Sequence, residues 1–230
     1  MDITPDSIIY WQWGFVTINA TILFTWIVMG VLMVIAWLAT RNLSSGPEIP
    51  RWQNMLETVI SYMRDQIEEI TREDPGPYLP FIGTLFLFIS VANLLDVVPW
   101  YEPPTGSLST TSALAICVFF AVPIFGIARR GVVSYLKHYV RPSPIMLPFT
   151  VMSELSRTLA LAVRLFGNVM SATLIVGILL TVVPFFLPVA MQVLGLLLGQ
   201  IHAYIFAVLA AVYIGSAMKA WKEEDQPSES

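Results

Sequence analysis

Charge is scarce in this chain. Only 12% of its 230 residues are Asp, Glu, Lys or Arg, against 56% that are hydrophobic. The net charge of −4 is small and scattered, and no Lys/Arg-rich tract exists to bind phosphates, so nucleic acid is excluded as an expected partner. Cysteine is nearly absent: Cys117, in LAICVFFAV, rules out a disulfide framework and reads as a small core residue. The two histidines, His138 and His202, are far apart and make a poor metal site, so neither a metal nor a cofactor is expected. The motifs G-x-S-x-G, H-E-x-x-H and G-x-x-x-x-G-K-[ST] are missing, so no ATPase or other enzymatic activity is expected of the chain alone. A basic leader is lacking too. MDITPDSIIYWQWG is acidic, which predicts that the first apolar segment is kept as a membrane helix and not cleaved as a signal peptide.

What the chain has is apolar length. Several runs reach the ~20 residues that a helix needs to cross a bilayer, and no stretch outside them is long enough for a second globular domain. The reading is a single all-α integral membrane domain with about five crossings. Spans are predicted over 15–39, 79–98 and 108–128, and long oblique helices over 145–183 and 188–218 form a helical hairpin. Between the first two spans, 51–72 is different. Apolar residues such as Met55, Val59, Met63 and Ile67 recur at helical spacing opposite Glu57, Arg64, Asp65, Glu68 and Glu69. This amphipathic helix should lie on the membrane or on a partner, and its acidic polar face favours another protein over anionic lipid. DPGPYLP breaks that helix, PWYEPPTGSLSTT reads as a loop, and KAWKEEDQPSES reads as a poorly ordered tail.

Basic residues set the orientation. Arg41, Arg51, Arg64 and Arg72 follow the first span, Arg129, Arg130, Lys137 and Arg141 follow the third, and Lys219 and Lys222 follow the last helix; residues 1–14, 99–107 and 184–188 have none. The positive-inside rule therefore places the N-terminus outside and the C-terminus in the cytoplasm. Two of the twelve basic residues remain unexplained, Arg157 and Arg164, both within the long oblique helix.

An arginine at mid-membrane costs at least about 2.5 kcal/mol on insertion scales and cannot escape by losing its proton. It needs a counter-charge. Arg157 lies three residues after Glu154, a spacing that pairs them locally. Arg164 has Ala160, Leu161, Gly167 and Asn168 at those spacings, so its counter-ion must come from another segment or another chain. Two sources stand open: Asp96 in an intrachain pair, or a mobile carboxylate on a partner that approaches across the small residues Ala160, Ala162, Gly167, Ser171 and Ala172. Asn168 and Ser171 continue the polar stripe beyond Arg164.

ELSRTLALAVRLFGNVMSA resembles the long helix of subunit a of the F-type rotary ATP synthases, whose pattern runs E-L-S-[RK]-x-L-x-L-x-x-R-L-F-G-N. NLLDVVPWYEPPTGSLSTTSALA and GQIHAYIFAVLAAVYIGSA resemble two further stretches of that family, in the right order along the chain. The resemblance implies a stationary subunit beside a rotating c-subunit ring, held by a peripheral-stalk subunit b, in a bacterial plasma (inner) membrane. It implies proton transport in ATP synthesis: an ion enters by one half-channel, neutralises a ring carboxylate, rides the ring through lipid and leaves by the other. Arg164 would face that carboxylate and separate the two channels. Asn168 would bond the carboxylate or a channel water, or else bond within the subunit. Glu154 and Ser153 are candidates for the cytoplasmic half-channel, and Asp96 and Asn93 for the outer one, with Ser171, Thr173 and Gln200 as further lining residues. His202 would relay protons or serve packing alone.

The chain departs from the family's commonest pattern. Thr173 and Gly195 stand where many members carry a Glu/His relay, His202 stands where Gln precedes Ala-[YF], and Thr158 replaces a proline. These departures leave sodium open beside the proton, because hydroxyl and carbonyl oxygens suit Na⁺ while titratable groups suit H⁺. A secondary transporter moving a small anion past Arg164 is the alternative reading, though no internal repeat supports it.

Overall fold

In hydrocarbon every backbone polar group needs an internal partner, and an apolar run satisfies that as a helix. The computed structural model describes residues 6, 9–13, 16–41, 51–98, 100–131, 146–183 and 186–225, with side chains left aside at 9–13, 16–18, 52, 129–130, 146–147 and 217–225. His138, Lys137, Arg141 and the end of the tail lie outside the described residues, as do the side chains of Arg129, Arg130, Lys219 and Lys222.

Five helices are long and apolar enough to cross a membrane, over Ala20–Arg41, Leu79–Val97, Leu108–Ala128, Pro148–Val182 and Leu187–Ser216. In chain order the elements are β1 (Ile9–Trp13), β2 (Val16–Asn19), α1 (Ala20–Arg41), α2 (Arg51–Thr71), α3 (Leu79–Leu94), α4 (Leu108–Arg130), α5 (Met146–Val182) and α6 (Leu187–Asp225). The fold class is all-α, with one small addition. Strands β1 and β2 form an antiparallel hairpin that pairs Trp11 with Ile18 and Trp13 with Val16. The first helix thus starts at Ala20 and not at 15, because the β-branched and aromatic run before it, IYWQW and VTIN, suits a pleated ribbon.

Local chemistry sets the helix ends. Pro80 stands in the first turn of α3, where a missing N–H costs nothing. Ser107 caps α4 by accepting from the Ser109 amide at 3.2 Å. Gly131 ends α4 at φ 82°, a conformation that suits glycine. Helix α5, at 37 residues, is about 55 Å long by the α-helical rise. A bilayer core of about 30 Å forces it to run obliquely or to extend beyond the membrane.

Small residues bring the helices together. The central core joins Leu85 and Ile89 of α3, Ala115 and Val118 of α4, Leu161, Ala162 and Leu165 of α5, and Ala203, Phe206 and Ala210 of α6. Helix α2 docks inside the same chain. Its Ile67 joins a second cluster with Tyr78, Ile82, Ala207, Ala211 and Ile214, and its Gln66 Oε1 accepts from the Tyr204 hydroxyl at 2.8 Å. At its end, Gly215 lets the backbones touch: a Cβ there would sit 3.1 Å from the Thr71 Cα. The sequence expectation of docking on another protein or the membrane is thus refined. The C-terminal half of α2 packs on α3 and α6, while Met55, Ile60 and Tyr62 remain exposed.

On the side where α3 ends, the supposed loop folds inward. Pro104, Thr105, Gly106 and Ser107 are buried, and the Asp6 carboxylate accepts from Thr21 and Ser107 hydroxyls, each at 2.6 Å. Pro-Pro-Thr-Gly-Ser reads as an exposed turn by composition, but its hydroxyls are spent on partners that cover it.

Candidate functional site

Helices α5 and α6 cross with α3 behind them, and the site lies along that crossing. Arg164 sits near the middle of α5, exposed, beside a gap of about 10 Å³ lined also by Leu161, Leu165, His202, Ile205, Phe206 and Leu209. Among the described residues it has no ion-pair partner, so the intrachain pair with Asp96 does not form. Nothing lies within 4 Å of a Cβ built on Gly167, so the surface one turn along is open.

A second cavity, of about 160 Å³, gathers polar side chains from three helices: Asn93 and Asp96 from the end of α3, Asn168 and Ser171 from α5, and His202 from α6, with Gly195 and Gly199 in the wall. His202 borders both spaces. Its Nδ1 lies 2.7 Å from the Leu198 carbonyl oxygen. Since a carbonyl only accepts, Nδ1 carries the proton, and in the neutral ring Nε2 is left as an acceptor.

The remaining candidates divide by what already holds them. Asn93 is 5% exposed and uses both ends of its amide: Nδ2 donates to the Gly199 carbonyl at 3.0 Å, and Oδ1 accepts from Thr105 at 2.9 Å. A Cβ on Gly199 would come within 3.0 Å of Asn93, which is why glycine stands there. Gln200 and Ser90 bond reciprocally, the Ser90 hydroxyl to Gln200 Oε1 and Gln200 Nε2 to the Ser90 carbonyl at 3.0 Å, and neither lines the cavity. Asn168 Nδ2 donates to the Arg164 carbonyl at 2.7 Å, Ser171 to the Asn168 carbonyl at 3.1 Å, and Thr173 to the Val169 carbonyl at 3.1 Å. Hydroxyls in apolar helices satisfy themselves this way. Thr173 does not reach the cavity.

Glu154 and Ser153 are elsewhere, ten and eleven residues before Arg164 and so about 15 Å or more along α5. Arg157 lies over the Tyr213 ring, 5.9 Å from its centroid. The aromatic face on α6 is within reach of the long side chain, so Arg157 has a contact across helices besides the acid three residues before it in sequence.

Some site residues escaped the sequence reading. Gln192 of α6 donates from Nε2 to the Asp96 carbonyl at 3.1 Å. A lone glutamine in LPVAMQVLGLLLG was the available signal. In the turn after α3, Tyr101 stacks edge-on against Phe24 at 4.9 Å, and its hydroxyl is buried without a partner among the described residues. Burial, with the Asp96 carboxylate adding to it, pushes the Tyr101 phenol up from its ordinary range, and burial likewise raises Glu102. Among the described residues no three His, Cys, Asp or Glu side chains gather as metal ligands would.

Comparison with known proteins fits this arrangement. Residues 22–215 match the family profile described as ATP synthase A chain. The chain is 61% identical over 217 residues to ATP synthase subunit a 2 of Acaryochloris marina, covering 94% of this chain and 93% of that protein. It is 58% identical over 229 residues to ATP synthase subunit a of Albidiferax ferrireducens, covering 100% and 99%. To ATP synthase subunit a 1 of Crocosphaera subtropica it is 56% identical over 218 residues, covering 95% of each. With five apolar helices, an arginine in one of them that has no ion-pair partner among the described residues, and matches that run nearly end to end, the chain belongs to the ATP synthase A chain family, subunit a of the F-type enzymes.

Proposed function

We propose that this chain is the stationary ion-conducting subunit of a rotary ATP synthase, giving protons two half-channels to and from mid-membrane carboxylates on a ring of c subunits. Arg164 is the charge that separates the channels. One observation carries the reading: a permanent cation on a membrane-crossing helix, exposed beside the open face at Gly167, with no ion-pair partner among the described residues. Its counter-ion arrives on the rotor.

The chemistry follows from that charge. A guanidinium beside a ring carboxylate favours the deprotonated form, so each carboxylate releases its proton on arriving and takes another on leaving. In a low-dielectric setting the same charge opposes a cation passing straight from one channel to the other. Lysine would serve poorly, since it lacks the planar fork and can lose its proton.

The cavity containing Asp96, Asn168, Ser171 and His202 is the outer half-channel. His202 is its inner end, with Nε2 free to take a proton and Arg164 on its far side. Asn168 keeps its Oδ1 for the cavity while its Nδ2 is held by α5. Glu154 and Ser153 mark the cytoplasmic half-channel. The N-terminus is outside and the C-terminus cytoplasmic, in a bacterial plasma membrane, as the positive-inside distribution requires. The exposed Met55, Ile60 and Tyr62 of α2 receive the peripheral-stalk subunit b. By itself the chain hydrolyses no nucleotide.

ATP-driven acidification of inverted vesicles carrying the whole complex tests this, with Arg164→Ala compared with the parent, with and without added Na⁺. Loss of pumping in an assembled Arg164→Ala complex, with a proton signal indifferent to sodium, is expected. Normal pumping in the variant overturns the role of Arg164, and suppression of acidification by Na⁺ makes sodium the ion.

A further inference from the structure

An acid that exchanges protons with a channel has to be held in place while its carboxylate stays open. Asp96 meets that condition. Asp96 lines the cavity, and its carboxylate, among the described residues, makes no ion pair or side-chain hydrogen bond; its backbone carbonyl instead accepts from Gln192 Nε2 at 3.1 Å. That carbonyl belongs to the turn Leu95–Val97 that closes α3, where carbonyls outlast their intrahelical donors and need a partner from elsewhere.

Ser90, Asn93 and Asp96 stand three residues apart on one flank of α3 and its closing turn, and each is tied to α6, to Gln200, Gly199 and Gln192 in that order. The first two ties are made by Ser90 and Asn93 themselves and set the register of the two helices. The third falls at the open end, where nothing downstream continues the helix. We infer that Gln192 is a positioning residue of the outer ion path, holding the turn that carries Asp96 so that the carboxylate faces the cavity. Loss of the amide leaves a carbonyl without a donor in an apolar setting; the turn then shifts to find one and takes the carboxylate with it. The bundle survives, because the Ser90–Gln200 and Asn93–Gly199 ties remain.

This rests on the cavity being the outer half-channel, so two readouts are needed. The first measures position alone. In the complete complex with the exposed Cys117 replaced by Ala, Asp96→Cys is modified from outside by a charged, membrane-impermeant thiosulfonate, with Gln192 present or changed to Leu. Gln192→Leu should change the modification rate by about tenfold, the upper range for one net hydrogen bond. Equal rates in the two backgrounds, including none in either, overturn the proposal. The second measures pumping: Gln192→Leu should slow ATP-driven acidification, yet add nothing to Asp96→Asn. Losses that multiply show that Gln192 acts elsewhere and also overturn it. If Asp96→Asn pumps as the parent does, the half-channel reading fails, while the labelling result still decides whether Gln192 places residue 96.

Discussion

His202 of α6 stands between Arg164 and the polar cavity, bordering the gap beside the guanidinium on one side and the space shared with Asp96 on the other. Its Nδ1 is held by the Leu198 carbonyl, so its ring is oriented by its own helix and not by either neighbour.

In the proposed role of relay, the loss of His202 should be felt in rate more than in assembly. His202→Ala should assemble normally and pump several-fold more slowly. Parent-like rates in the variant would return His202 to packing.

Gly199 should tolerate no larger side chain. Its missing Cβ leaves the space that the Asn93 Cβ, Cγ and Nδ2 occupy, at 3.0, 3.1 and 3.2 Å. Gly199→Ala should lower the thermal stability of the detergent-solubilised complex by an overpacking cost of about 1–3 kcal/mol. Combining it with Asn93→Ala, which removes two of the three crowded atoms, should cost less than the two single losses added together. Simple additivity would show that Asn93 is not what crowds the site.

Arg157 should behave as a structural residue. If its stack on Tyr213 is what holds it, Arg157→Ala and Tyr213→Leu should each cost about 0.5–2 kcal/mol. The double variant should cost little more than either, measured by thermal melting. Independent, additive losses would point to an ionic role for Arg157.

Glu102 gives the turn after α3 a pH signature. Burial raises its folded-state value above that of a solvated glutamate, so the folded chain binds more protons than the unfolded one just above about pH 4.5, the solvated value. Its contribution to stability is full below that pH and declines as pH rises through the raised value. Glu102→Gln cannot ionise, so its melting temperature should decline less over that window than the parent's. An equally steep decline would assign the dependence to other groups.

Sequence alone carried the class of fold because a bilayer is a demanding solvent: an apolar run must become a helix. It singled out Arg164 for the same reason, since a permanent charge within a membrane-crossing run is costly wherever the helix packs. It did not carry the N-terminal hairpin, where aromatic and β-branched residues next to an apolar run look like more of the same helix. Nor did it carry the burial of the Pro-Pro-Thr-Gly-Ser turn, whose composition is that of any exposed turn until Asp6 and Asn93 take up its hydroxyls.

The polar residues divided along the same line. One helix's spacing fixed that Arg164, Asn168 and Ser171 share a stripe. Only the crossing of α3, α5 and α6 decided that Asp96 and His202 face one cavity, that Asn93 and Gln200 are consumed in holding helices together, and that Gln192 reaches the Asp96 carbonyl across 96 positions of chain. Periodicity is a property of one segment, whereas a hydrogen bond between distant segments depends on where small residues such as Gly199 and Ala203 let two helices meet.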